Sequence, residues 1–472
     1  MSLTRRSLLR QTILASAELP FAPFVFAFGS PESSIVIKRE DGNPISLPES
    51  FIGLGYEMSS VATPGLLSAE NHSYVALARG LSREGIIRVG GIVADYTRYQ
   101  VDGTPRADRQ NTIVTRKSLQ QFAGFLSAIG WKAIWSVNFA QGTIQDAVVE
   151  ARAVADILGG RLEAIEIGNE VENYARGQKF FRQPPYDYAA YRAEYAAWHT
   201  AILKAIPGIR FAAPDTASSV EWVERMAEDS RGDVQLLTTH YYRNAQARGS
   251  ADQLLAPDAR LEEKLVRLRA ASQTSGIPWR MCETNSFSGG GLPRVSDTFV
   301  GALWTLDFML LLAQAGCAGV NIETGINQLG FISSYSPIVD GGRGANSVGA
   351  SYYGMLAFAV ASRTNNQIIP IGIDTRNERV TAYALGREGK VRSVVAVNKS
   401  RESSYKLNIA ELGLHKGAIL RLNAPSPESK DGVRFGQAAV DSRGEWVPAS
   451  SERLSAGPFV LPAMSAAVIV LG

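Results

Sequence analysis

The chain has 472 residues, 45% apolar and 20% charged; that is globular composition, and the length suits one large domain with a smaller companion. The formal charge is +3, and Arg5, Arg6 and Arg10 against Glu18 put a surplus of two in the first thirty residues, leaving about +1 for the rest. This argues against a nucleic-acid partner; two cysteines, Cys282 and Cys317, argue against a disulfide framework, and four histidines without CxxC or HExxH give no metal pattern.

Thr4-Arg5-Arg6-Ser7-Leu8-Leu9 and Arg10 precede a modest apolar run, Thr12 to Ala17, in the manner of a twin-arginine export signal. The apolar stretch continues to Phe28 but is broken by Glu18, Pro20 and Pro23, short of the ~20 apolar residues of a membrane span. Residues 1–29 are therefore expected to direct the chain to the periplasm or outside the cell, with no span in the mature chain; a basic tail on a cytoplasmic enzyme is the alternative. Ser34–Lys38 alternates like a strand and can pair with the C-terminal part.

From residue ~50, short apolar runs alternate with helical spacing. The predicted strands are Phe51–Tyr56, Ile86–Val89, Ala133–Val137, Leu162–Ile167, Ile209–Ala213, Val234–Thr239, Trp279–Cys282 and Ala318–Ile322. Predicted helices between them include Tyr74–Leu81, Leu119–Ala128, Ala147–Leu158, Tyr188–Ile206, Leu261–Thr274 and Asp297–Ala315. Eight βα units imply a parallel sheet with right-handed crossovers, closed as a (β/α)8 TIM barrel over 48–362. The open doubly wound rival normally carries a glycine-rich turn, and GxGxxG is absent. Beyond ~365 the texture becomes short strands, among them Gln367–Ile371, Val380–Leu385, Val391–Val397 and Ala466–Leu471, so 363–472 with 30–47 is expected to form a β-sandwich domain.

Barrel enzymes hold their chemistry at the C-terminal ends of the strands. Glu57, Glu170, Asp215, Glu283 and Glu323 follow strands one, four, five, seven and eight, an acidic ring suited to sugar hydroxyls. Glu170 ends Glu166-Ile167-Gly168-Asn169-Glu170, where the glycine permits a turn and Asn169 stands beside the carboxylate to bind a substrate hydroxyl; a helix N-cap is the bland reading. Glu283, in Cys282-Glu283-Thr284-Asn285, is read as directly following strand seven, and a solvated loop acid is its bland reading. Two such carboxylates perform retaining glycoside hydrolysis when they lie roughly 5–5.5 Å apart, one protonated as acid and one ionised as nucleophile. Arg88, on strand two, offers the balancing charge, or else a structural ion pair. In His240-Tyr241-Tyr242 only one tyrosine should face inward, and spacing does not choose between them.

Taken together, "ARGLSREGIIRVGG", "EIGNE", "HYY" and "CETNSFSGGG" resemble glycoside hydrolase family 79, which contains β-glucuronidases and heparanase. The resemblance runs from about Phe51 to Tyr353, and the family also carries a C-terminal β-sandwich. It implies Glu170 as proton donor, Glu283 as nucleophile, Tyr241 as the better match for the tyrosine beside the nucleophile, and Glu57 as a hydroxyl ligand. It implies that the Gly289 and Gly290 N–H groups and Tyr335 hold the uronate carboxylate; Ser288 stands where glucuronate-binding members often have tyrosine. The expectation is a cofactor-independent retaining β-glucuronidase whose partner is a carbohydrate bearing a uronic acid, with oligomeric state and endo or exo action left open. A β-xylosidase or arabinofuranosidase type, or a non-catalytic carbohydrate-binding protein, are the alternatives.

Overall fold

The computed structural model describes residues 33–176, 180–325, 333–340, 346–374, 379–413, 416–455 and 457–471; the expected export segment lies outside them. Eight parallel strands close into a barrel in chain order: Ile52–Glu57, Ile86–Gly90, Lys132–Val137, Leu162–Ile167, Phe211–Thr216, Leu236–Ala245, Trp279–Ser288 and Val320–Glu323. Val320 of the eighth strand is level with Ile52 of the first, which completes the ring. This is the TIM barrel read from the sequence. Among the described residues no helix is long and apolar enough to cross a membrane.

The interior is layered because every second residue of a strand points inward. Ile86, Ile134, Ala164, Ala212, Leu236 and Cys282 form one dry layer. Two residues further along the strands come Arg88, Ser136, Glu166 and Thr238, all buried. The apolar layer thus floors a polar chamber. Side chains alternating outward, such as Ile87, Val89, Trp135 and Ile165, meet the surrounding helices in the main core.

Local signals start the helices. Thr115 and Ser118 form a reciprocal capping box at Arg116–Ile129, and Thr143 with Asp146 does the same at Ile144–Leu158. Asp187 accepts the Ala190 N–H at the start of Tyr188–Ala205. Phe299–Gln314 begins two residues later than the sequence suggested, since Asp297 accepts the Arg294 N–H in the preceding turn.

Against the barrel lies a β-sandwich. One sheet orders Ile371–Ile373, Ser33–Arg39, Tyr405–Asn408 and Phe459–Leu461. The other contains Gln367–Ile369, Val380–Arg387, Lys390–Asn398, Ser465–Leu471 and Gly417–Asn423. The run read as one strand, Gln367–Ile371, is divided at Pro370, and its halves pair in different sheets. Proline has no N–H for the ladder, so the chain leaves one sheet there.

Candidate active site

Glu170 and Glu283 both stand at the C-terminal end of the barrel. Glu170 follows strand four, whereas Glu283 lies inside strand seven, which runs on to Ser288 rather than ending at Cys282. One oxygen of each carboxylate and one ring nitrogen of His240 lie within 4.8 Å of one another. His240 Nδ1 is 3.6 Å from Glu170 Oε1 and 3.9 Å from Glu283 Oε2.

The turn that delivers Glu170 depends on its neighbours. At Gly168, φ 94°, a Cβ would come within 2.7 Å of Val171 Cγ1. Glu170 itself sits at φ 51°, with its N–H bonded to the Asp215 carbonyl at 2.9 Å; Asp215 is also left-handed, at φ 59°. Two non-glycine residues held in this uncommon region side by side mark a constrained site. The N-cap reading fails: the single turn Val171–Asn173 is preceded by Glu170, and no side chain caps it. Glu172 instead accepts the N–H groups of Ala217, Ser218 and Ser219, tying the loops after strands four and five together.

Arg88 organises the chamber. Its Nε donates to Glu166 at 2.9 Å, Nη1 to Glu283 at 2.8 Å, and Nη2 to Asn169 Oδ1 at 2.9 Å and to Asp215. Asp215 also meets His240 Nε2 at 2.9 Å. Burial alone would push the Asp215 carboxyl up, but Arg88 and His240 hold it down at about 2. Burial works against a charged His240, yet Asp215 and Glu283 raise the imidazole well above its usual range, so the ring is cationic at neutral pH. Glu166, buried and facing Asp215, is pushed up to about 8. Glu57 is pushed to about 8 by burial and by Glu283. Glu323 is raised for the same reasons, with Glu57 as a further neighbour.

The tyrosine choice is corrected. Tyr242 Oη donates to Glu283 Oε1 at 2.9 Å, whereas Tyr241 points out of the barrel, donates to Asp258 at 2.8 Å and stacks on Phe308. His240 faces inward, so alternation sends residue 242 inward and 241 outward. Glu283 therefore receives donors from two sides, Arg88 and Tyr242. Asn169 is buried against Arg88 rather than standing free for a hydroxyl through its Oδ1.

Of the remaining residues, Glu57 accepts the Val93 N–H at 2.8 Å and packs so tightly that a Cβ on Gly91 would lie 2.2 Å from its Oε2. Gly289, Gly290 and Gly291 have φ of 78°, 92° and 82°, a turn that side chains would strain. Gly291 donates to the Phe287 carbonyl, while among the described residues nothing accepts the N–H of Gly289 or Gly290. Tyr335 adjoins this turn, its Cβ 3.0 Å from where a Gly291 Cβ would sit, and its ring stacks on Tyr242 at 6.4 Å. Ser288 ends strand seven level with Ala245. The carboxylates of Glu170 and Glu283 with His240 are near enough to share a cation, but metal binding requires a neutral imidazole, which the surrounding carboxylates disfavour. Sequence reasoning gave no role to His240 or Glu166 and left Tyr242 as the alternative to Tyr241; inward parity with Arg88 is the signal that connects them.

No family model matches the chain. It is similar to two proteins described as beta-glucuronidase: one from Aspergillus niger, 25% identical over 338 residues, and one from Neurospora crassa, 26% identical over 317 residues. These matches cover 63% and 58% of this chain but only 61% and 55% of the relatives, so the chain spans less than two thirds of either. Among solved structures, a 4-O-alpha-L-rhamnosyl-beta-D-glucuronidase from Fusarium oxysporum 12S, in its Rha-GlcA complex, has a TM-score of 0.77 at 18% identity, covering 92% of this chain and 100% of that one. A family 51 alpha-L-arabinofuranosidase from Bifidobacterium longum has a TM-score of 0.68 at 14% identity, covering 94% and 100%. At such identities these likenesses establish the fold.

Proposed function

We propose that the protein is a retaining β-glucuronidase of the family 79 type, with Glu283 as nucleophile and Glu170 as acid/base. One observation carries this: the carboxylate oxygens of these residues approach within 4.8 Å at the mouth of the barrel. Retaining pairs lie roughly 5–5.5 Å apart, whereas inverting pairs leave roughly 6.5–9.5 Å for a water. Glu283 attacks the anomeric carbon with its charge oriented by Tyr242 and Arg88, and Glu170 protonates the leaving oxygen. When Glu283 becomes an ester, Arg88 keeps Asp215 as its counter-ion and Glu166 as a hydrogen-bond partner, so the cation is not stranded. Water then attacks, with Glu170 as base.

The uronate part rests on the open N–H groups of Gly289 and Gly290, with Tyr335 beside them, and on the likeness to the fungal relatives. Export rests on Arg5 and Arg6 in the sequence, and cell fractionation tests it. The central experiment is hydrolysis of nitrophenyl β-glucuronide followed by NMR. Glu283→Gln and Glu170→Gln should each lower kcat on the order of 10³-fold or more without unfolding the chain. The β-anomer should form first. Appearance of the α-anomer first, or full turnover by either variant, would sink the mechanism; a preference for neutral pentosides would replace the uronate reading.

A further inference from the structure

The barrel has a second cleft, at the opposite end. Ile52 opens the first strand, Phe51 immediately precedes it and Glu84 precedes the second, and all three line the cleft. It therefore lies at the N-terminal ends of the strands, roughly 17 Å of strand from Glu57. Its volume is about 730 Å³, within the ~300–1,000 Å³ of ligand sites.

Four arginines line this cleft: Arg79 from helix His72–Leu81, Arg83 after it, Arg363 after helix Ala350–Ser362, and Arg387 from the sandwich. All four are exposed, and among the described residues no side chain of the four makes a hydrogen bond, ion pair or ring contact. The facing acids are Glu49 and Glu84, which leaves two positive charges in surplus. Nearly every other arginine given a role above is paired; four unpaired guanidinium groups in one concavity cost self-repulsion and focus a positive field.

We propose that this cleft binds an acidic polysaccharide, the arginines taking its carboxylate or sulfate groups. Guanidinium forks match such anions in bidentate fashion. The N-terminal segment of the chain is a poor occupant, because Glu18 is its sole acid among three arginines. The choice of polyanion rests on the glucuronide reading of the active site, and the cleft would then hold a polymer whose ends or branches are processed at the far face.

The test measures binding, so it is separable from turnover. The full chain and the variant Arg83→Ser/Arg363→Ser/Arg387→Ser are run by affinity electrophoresis in polygalacturonate, with dextran as the neutral control. Polygalacturonate should retard the wild type and dextran should not, and the retardation should weaken with salt. The triple variant should bind on the order of tenfold or more weakly, with unchanged melting temperature and unchanged hydrolysis of nitrophenyl β-glucuronide. Equal retardation by dextran, equal binding by the triple variant, or binding of a single-stranded DNA oligonucleotide as tight as that of polygalacturonate would each overturn the proposal. Loss of turnover with binding intact would instead remove the glucuronidase reading and leave the cleft standing.

Discussion

Two arginines are buried inside the same barrel, one near each end, and their surroundings differ in kind. Arg88, near the mouth, is met by three carboxylates and an amide. Arg280, near the floor, is met by Asn321 Oδ1 at 2.6 Å and by the carbonyls of Ser50, Phe51 and Val320. Burial lowers the pKa of Arg280, whereas the acids around Arg88 outweigh its burial and raise it. Carbonyl dipoles can only satisfy a guanidinium. Carboxylates can also gain or lose their own charge beside a guanidinium that stays protonated, so the mouth can follow a reaction while the floor merely closes the barrel.

The largest expected break of this contrast is Arg88→Met. It leaves three buried acids without their cation, which should cost roughly 3–5 kcal/mol in denaturant unfolding, and kcat should fall on the order of 10²-fold or more. Arg280→Met removes hydrogen bonds to neutral acceptors, so about 1–3 kcal/mol should be lost with kcat within a factor of about two. If the two variants lost activity equally, the division between mouth and floor would be wrong.

The tyrosines sharpen the same contrast on one strand. Tyr242→Phe removes a donor to Glu283 and should reduce kcat about tenfold, or about 1.4 kcal/mol. Tyr241→Phe removes the bond to Asp258 outside the barrel and should shift stability by about 1 kcal/mol with little change in kcat. Reversal of the two outcomes in steady-state kinetics would restore the assignment made from the sequence.

The smallest effect is in pH. Glu57 and Glu166 keep their protons up to about 8 in the fold but release them near their ordinary value of 4.5 when unfolded. The folded chain thus binds more protons between about 4.5 and 8, and stability should decline as pH rises through that window. Asp215, held at about 2 against an ordinary 3.8, acts in a lower window, where stability falls as pH drops below about 4. Melting temperatures should therefore be higher at pH 5 than at pH 8, and Glu57→Gln should flatten the slope. A melting temperature that rises from pH 5 to pH 8 would contradict these protonation states.

Much of the barrel was legible because buried parallel strands read as apolar runs, and Glu170 and Glu283 stood out at strand ends. What was hidden has physical causes. Ala350–Ser362 is buried almost all round, so it shows no polar stripe and no helical period. The extension of strand seven to Ser288 carries Glu283, Thr284, Asn285, Ser286 and Ser288, and so polar a run looks like a loop in sequence. Strand six opens with Leu236 and Leu237, apolar on both faces, so the sequence does not mark which parity, and hence which tyrosine, turns inward.

Ser33–Arg39 has a consequence for how the molecule is made. This strand sits between Ile371–Ile373 and Tyr405–Asn408, with Ile35 level with Leu407. A ribosome releases it early, yet its partners emerge only after the entire barrel has been synthesised. Its edges must wait, unprotected, through most of translation, and closure of this sheet is a late, long-range event. Slowing elongation or deleting the last strands should therefore trap chains with a finished barrel and an adhesive, unpaired amino-terminal ribbon.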